Sequence, residues 1–291
     1  MSKKLVSDLL VDYLERRGVT KLFGLCGHTV IGMLDALSRS KKIEYIGTRH
    51  EAIASTAADG YARITHKASV VMCHLGPGLT NVITGVANAS LDSIPMVVIA
   101  GDVPSYYFGR HPHQEIQMHE DGDQYSMLKP VCKRSWRVDD VEALPYILDK
   151  AFRLAEAGRP GPVLIDILKN VTSEEVDFTP LPLSEHHRHG RLAALLARNS
   201  DGLNMKIPEP DHGDVDKLVS MLDEAKKPLI LVGGGVIRSK GAVPEFRDFI
   251  KQVGAPVATT VMGGGACPGD SDIITGMIGM HGSHASNYAS S

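Results

Sequence analysis

Short apolar runs alternate with stretches of helical periodicity along nearly the whole chain, and that alternation constrains the fold more than any other feature. Residues 21–26, 43–47, 69–73, 95–100 and 162–167 are strand-like runs bounded by glycine, proline or polar residues. Between them lie helical patterns. The first, 5–17, spaces Leu5, Leu9, Leu10 and Leu14 on one face and ends at Gly18. Others run to Leu37, from Ala52 to Arg63, from Leu79 to Ala89 and from Val141 to Ala157. Apolar strands separated by helices predict an α/β fold, a parallel sheet with helices on both faces. A long polar loop through Gln124 follows the fourth strand.

Composition shifts between about Thr172 and Asp211, which is rich in Pro, His, Arg, Asn and Asp, so 181–210 is expected to be a linker. A second, Rossmann-like α/β unit over 211–291 is then predicted. It has a helix at 215–225, a strand at 228–232, a turn at Gly233–Gly234–Gly235, a helix at 243–253 and a strand at 256–260. Sheets of this kind usually carry about five or six strands. Two strands are too few, so this unit is expected to be incomplete.

The formal net charge is −3, which gives no electrostatic case for nucleic acid or an anionic membrane surface as partner. No apolar run is long enough to span a bilayer, and the first residues lead into an amphipathic helix, so a cytoplasmic setting is expected. Cys26, Cys73, Cys132 and Cys267 are scattered, without a Cys-x-x-Cys pair; buried free thiols are expected rather than disulfides or a zinc site. Of the 13 histidines, those at 186–189 belong to the polar stretch and read as solvated. No Gly-x-Ser-x-Gly elbow, His-Glu-x-x-His helix or Walker loop is present.

Glu51 is the foremost candidate residue. It stands where a strand hands over to a helix, the place where open α/β sheets put ligands. Taken alone it could equally be an ordinary carboxylate favoured by the helix dipole; Asp59, further along, reads as a polar-face residue. Gly76–Pro77–Gly78 follows a strand and opens a helix. Glycines there allow a phosphate cradle, but Pro77 removes one of the amides such a cradle would use. Close approach to a flat ligand or to another subunit is the preferred reading. Gly233–Gly235 lacks dinucleotide spacing and reads as a plain turn, and Gly269–Asp270–Ser271 as surface loop.

Several segments, in order along nearly the whole chain, carry a resemblance. They are Leu22-Phe23-Gly24, Arg49-His50-Glu51, Ala58-Asp59-Gly60-Tyr61-Ala62-Arg63 and Gly76-Pro77-Gly78-Leu79-Thr80-Asn81. Ala89-Ser90-Leu91-Asp92-Ser93-Ile94-Pro95, Gln114-Glu115, Gly158-Arg159-Pro160-Gly161-Pro162-Val163 and Gly276-Met277-Ile278-Gly279-Met280-His281-Gly282 complete the set. The chain resembles the thiamine diphosphate-dependent superfamily of acetolactate synthases and 2-oxoacid decarboxylases, in its N-terminal half.

The resemblance implies a pyrimidine-binding domain at 1–180 and a truncated central domain at 211–291. The family's third domain, which holds the cofactor diphosphate and Mg²⁺, is not among these residues. It implies thiamine diphosphate as cofactor and leaves FAD undecided. It implies that Glu51 hydrogen-bonds the cofactor pyrimidine. It also implies that Gly27, Gly76, Pro77, Gly78 and Asn81 line the cofactor, and His113 and Gln114 the substrate. A small hydroxyl residue is usual where this chain has His74; a histidine there is similar to benzoylformate decarboxylases, where it moves protons. His28 likewise stands in a cofactor-facing loop. The implied function is a lyase or carboligase acting on 2-oxo acids or aldehydes, acetolactate synthase-like, in a homodimer or homotetramer. The alternatives are a simple 2-oxo acid decarboxylase or aldehyde lyase, and a non-catalytic fragment that needs a partner chain.

Overall fold

The computed structural model describes residues 3–115, 123–176, 210–239 and 241–291. The expected linker, with its histidines, lies outside them apart from residue 210. The chain divides into two compact units, 1–206 and 207–291.

The first unit begins with β1 (Lys4–Leu5), α1 (Val6–Arg16), β2 (Lys21–Gly24), α2 (Ile31–Arg39), β3 (Glu44–Gly47), α3 (Glu51–Thr65) and β4 (Ser69–Cys73). It continues with α4 (Pro77–Leu91), β5 (Met96–Asp102), β6 (Arg134–Val138), α5 (Leu144–Glu156), β7 (Pro162–Leu168), α6 (Lys169–Thr172) and β8 (Glu175–Val176). Six strands form one sheet in the order β3-β2-β4-β5-β7-β6, every pair parallel. The α/β reading therefore holds. β4, β5 and β7 are buried along their whole length, as central strands covered on both faces must be. One face packs α1, α2 and α5 through Leu10, Leu14, Met33, Leu37, Leu148 and Phe152. Helices α3 and α4 pack on each other and also contact the central strands.

Edge strand β6 lies beyond the polar loop expected through Gln124, in a stretch for which no element was expected. Its residues alternate, with Trp136 and Val138 buried and Arg134 exposed, the pattern of a half-buried strand. The short β1 and β8, also unforeseen, pair antiparallel.

The α3–α4 packing depends on small side chains. Ala54, Ser55, Ala58 and Ala62 recur on the buried stripe of α3, and Gly85 faces them from α4. A Cβ on Gly85 would fall inside 3.0 Å of the Ser55 side chain. At the far end of α3, Arg63 binds Asp59 at 2.7 Å and Asp92, just past α4, at 2.6 Å. Asp59 is thus a buried ion-pair member, which corrects its reading as a polar-face residue.

The second unit comprises α7 (His212–Glu224), β9 (Ile230–Val232), α8 (Gly234–Arg238), α9 (Ala242–Val253), β10 (Val257–Thr259), β11 (Ile274–Met277) and α10 (His284–Ala289). Its parallel sheet, β11-β10-β9, has three strands where two were expected. The third contains Gly276 at φ +105°, a residue type that weakens a strand signal. Val232, Ile250, Val257, Ala266 and Cys267 form its small core. The cysteines are all free, but only Cys73 and Cys267 are buried; Cys26 is exposed and Cys132 partly covered, against the expectation of burial.

Gly85→Val should force α3 and α4 apart and destabilise the first unit by about 1–3 kcal/mol. Urea unfolding followed by the fluorescence of Trp136, the single tryptophan, reads this unit alone. An unchanged midpoint would show that the helix pair does not depend on this close approach.

Candidate active site at the switch point of the sheet

Strand order reverses between β2 and β4, which lie side by side although β3 intervenes in sequence. Open α/β sheets bind ligands in the crevice beyond the carboxyl ends of strands at such a point. The loops that leave β2, β3 and β4 there carry Gly27 and His28, then Glu51, then His74 to Gly78. The candidates scattered in sequence are therefore brought to one end of the sheet.

Glu51 opens α3 and is buried, 6% exposed. His50 caps the helix, its Nδ1 accepting the Ala52 amide at 3.1 Å. Asn81, one turn into α4, donates its Nδ2 to Glu51 Oε2 at 2.9 Å. Oε1 lies toward Gly78, where an added Cβ would stand 3.4 Å from it and 3.3 Å from His74 Cβ. Both helix N-termini, α3 and α4, face this carboxylate's end of the sheet and favour negative charge there.

His74 is 8% exposed and held at both nitrogens. Nδ1 is 2.7 Å from Thr29 Oγ1 and Nε2 is 2.8 Å from Gln114 Oε1. Gly27 makes room for the ring, since a Cβ there would fall inside 3.0 Å of it. The His28 ring meets His74 edge-on at a centroid distance of 4.5 Å. Burial, then His74, Lys169 and His113, hold the His28 pKa below its ordinary value. His28 and His113 are themselves exposed.

Gly76 adopts φ +48° and lies against the Gln114 backbone carbonyl, so that any Cβ would clash. The closeness expected at this glycine is thus toward the chain's own backbone. Its neighbour Pro77 starts α4 at the first turn, where a missing N–H costs nothing.

Sequence reasoning missed what stands behind Gly76. Its amide donates to Gln124 Oε1 at 3.0 Å, and Gln124 Nε2 donates to Asp166 Oδ1 at 2.7 Å. Asp166, on β7, is fully buried. Asp102 and Asp123 join it around a single guanidinium: Arg137 lies 3.7 Å from Asp166, 3.5 Å from Asp102 and 3.8 Å from Asp123. Burial, then the Asp102 charge, pushes the Asp166 carboxyl well above the usual range. Asp166 Oδ2 makes no hydrogen bond, and the Asp102 carboxylate nearby favours a proton on this carboxyl. An aspartate inside the run Val163-Leu164-Ile165-Asp166-Ile167 was the available signal, because carboxylates are rarely placed in central strands without a partner. Thr29 gave none.

Residues 4–127 match the family described as thiamine pyrophosphate enzyme, N-terminal TPP binding domain, and residues 215–291 match its central domain. The chain belongs to the thiamine pyrophosphate enzyme family. Among curated relatives, it is 37% identical to the chloroplastic acetolactate synthase of Arabidopsis thaliana over 283 residues. It is also 37% identical to the acetolactate synthase large subunit of Buchnera aphidicola from Schizaphis graminum, over 284 residues. The probable acetolactate synthase large subunit of Methanocaldococcus jannaschii is 36% identical over 284 residues. Each alignment covers 97% of this chain but only 39%, 46% and 44% of the relative. The chain thus spans less than half the length of the relatives it matches. No helix among the described residues is long and apolar enough to cross a membrane.

The buried acid pair has a pH signature. Asp166 keeps a proton in the folded state at pH values where the unfolded chain has released it. Stability therefore falls as pH rises from its ordinary 3.8 through the raised folded value, at up to about 1.4 kcal/mol per pH unit for one proton. Asp166→Asn, which keeps an acceptor for Gln124, should flatten that slope in urea midpoints read through Trp136. A slope identical to wild type would assign the proton elsewhere.

Proposed function

We propose that the chain is the pyrimidine-binding and central part of a thiamine diphosphate-dependent carboligase or lyase acting on 2-oxo acids, acetolactate synthase-like. The observation that carries the reading is the buried Glu51 carboxylate at the switch point, with Oε2 tied to Asn81 and Oε1 kept open by Gly78. A cradle that a single Cβ would narrow fits a flat aromatic ring better than a phosphate, and Pro77 offers no amide to an anion.

In this reading Glu51 Oε1 shares a proton with a ring nitrogen of the cofactor pyrimidine, while Asn81 fixes the carboxylate plane. Gly78 leaves the ring its space, with Gly27, Gly76 and Pro77 bordering it. When bound, thiamine diphosphate supplies the acidic carbon and electron sink needed to break a bond beside a carbonyl. His74 and His28 move protons on the substrate side, and Gln114 and His113 line it. Mg²⁺ accompanies the diphosphate. A homodimer or homotetramer and a cytoplasmic setting belong to the same reading.

His74 favours a second reading within the same chemistry. A buried imidazole able to protonate a product suits simple decarboxylation of a 2-oxo acid, or aldehyde release, as well as ligation.

Calorimetry of the full chain with thiamine diphosphate and Mg²⁺ tests the proposal. Wild type should bind, and Glu51→Ala should weaken binding at least about tenfold, the effect of one lost charge-assisted hydrogen bond. No binding by wild type, or binding indifferent to Glu51, overturns the site. With pyruvate, acetolactate as product supports ligation and acetaldehyde supports the second reading.

A further inference from the structure

His74 is fixed at both nitrogens, and the protons available to its partners restrict what the ring can be. Gln114 Oε1 accepts only, and so does the Gly101 carbonyl. Thr29 Oγ1 stands between the ring and that carbonyl, 2.7 Å from His74 Nδ1 and 3.1 Å from Gly101 O. It has one proton to give.

If Thr29 gives its proton to Nδ1, the Gly101 contact is lost. If Thr29 donates to Gly101, Nδ1 must itself donate to Thr29. With Gln114 Oε1 facing the ring, all three contacts are satisfied together only when the ring carries both protons: Nε2–H to Gln114, Nδ1–H to Thr29, and Thr29 O–H to Gly101. Removal of the Nε2 proton then leaves the Nδ1–H neutral ring still backed by Thr29. Gln114 can answer by turning its NH₂ toward Nε2.

The site is built for this arrangement. Thr29 is 2% exposed, in the turn that leads into α2. A Cβ on Gly101 would fall inside 3.0 Å of its side chain. Gly27 gives the His74 ring the same clearance. Gln114, by contrast, is exposed and held at φ +69°, on the outer side of Nε2. One nitrogen faces a fixed interior relay and the other faces a partner able to leave.

We infer that Thr29, backed by the Gly101 carbonyl, is a positioning residue that keeps a proton on His74 Nδ1 and so makes Nε2 the nitrogen that exchanges protons with substrate. This rests on the reading of His74 as the proton-transfer group of the proposed reaction. In that exchange the N–H bond at Nε2 breaks as an O–H or C–H bond forms on the substrate, and solvent returns the proton. The ring keeps its Nδ1 proton throughout, as triad histidines do when a fixed partner holds one nitrogen. The charged or titratable groups around the ring are His28, in edge contact, and Glu51, across Gly78; His113 and Lys169 act on His28.

The test is ¹⁵N-histidine NMR of the full chain across a pH titration, with the His74 ring assigned by its loss in His74→Gln. Neutral His74 should show the Nδ1–H tautomer in wild type. Thr29→Val should shift the tautomer population at least several-fold toward Nε2–H, and Thr29→Ser should restore the wild-type pattern. A neutral wild-type ring protonated at Nε2, or a Thr29→Val spectrum with unchanged tautomer populations, overturns the inference. If Trp136 fluorescence shows Thr29→Val unfolded, the wild-type and Thr29→Ser spectra decide by the same criterion. The readout needs no cofactor. Absent thiamine diphosphate binding with the tautomer pattern intact would therefore strike the functional proposal and leave the positioning role standing.

Discussion

Everything at the sheet's carboxyl end depends on polypeptide segments approaching closer than a Cβ allows. Gly27 lies beneath the His74 ring, Gly101 beneath Thr29, Gly76 against the Gln114 carbonyl, and Gly85 against Ser55. Each close approach sets a polar side chain rather than filling a core. Gly85 lets α4 sit tightly on α3, and that helix spacing brings Asn81 to Glu51. A glycine in a helix or strand costs roughly 0.5–1 kcal/mol against alanine. The core supplied by the six-stranded parallel sheet, with its buried central strands, and its helices offsets that cost, so the site is compact at the expense of local stability.

Two polar networks meet there, and they differ in character. The first is short and neutral in its linkers: Gly101, Thr29, His74 and Gln114, one hydrogen bond after another. The second is rich in charge, with three aspartates around Arg137 behind β5, β6 and β7. Burial and the Asp102 charge push the carboxyl of the deepest, Asp166, well above its usual range, so it holds a proton more readily than a free aspartate does. Its proton removes net charge without removing the acceptor that Gln124 needs.

The fold was legible in the sequence because its central strands are continuous apolar runs and its helices carry clear periodicity. β6 escaped because an edge strand shows only alternate apolar residues, here Trp136 and Val138 between arginines and a serine. In the site, Glu51, His74 and the Gly76–Gly78 turn were legible because they fall at strand-to-helix junctions, which sequence can locate. Thr29 and Gln124 were not, since a threonine in a turn and a glutamine in a polar loop carry no pattern that marks them out. Their importance comes only from what the tertiary fold sets opposite them.

Gly76 is where the two networks touch. Its amide is fixed by Gln124 and therefore by Asp166, while its Cα face bears on the Gln114 backbone, whose side chain holds His74 Nε2. Any movement of the acid pair reaches His74 through three hydrogen bonds and one packed backbone contact. A typical buried hydrogen bond is worth about 0.5–1.5 kcal/mol net, so the influence passed along this route is bounded at roughly tenfold in an equilibrium at His74. That is enough to bias the Gln114 carboxamide between its two orientations and too little to dictate which proton the ring carries. The interior relay through Thr29 and Gly101, which has no other charged member, keeps that decision.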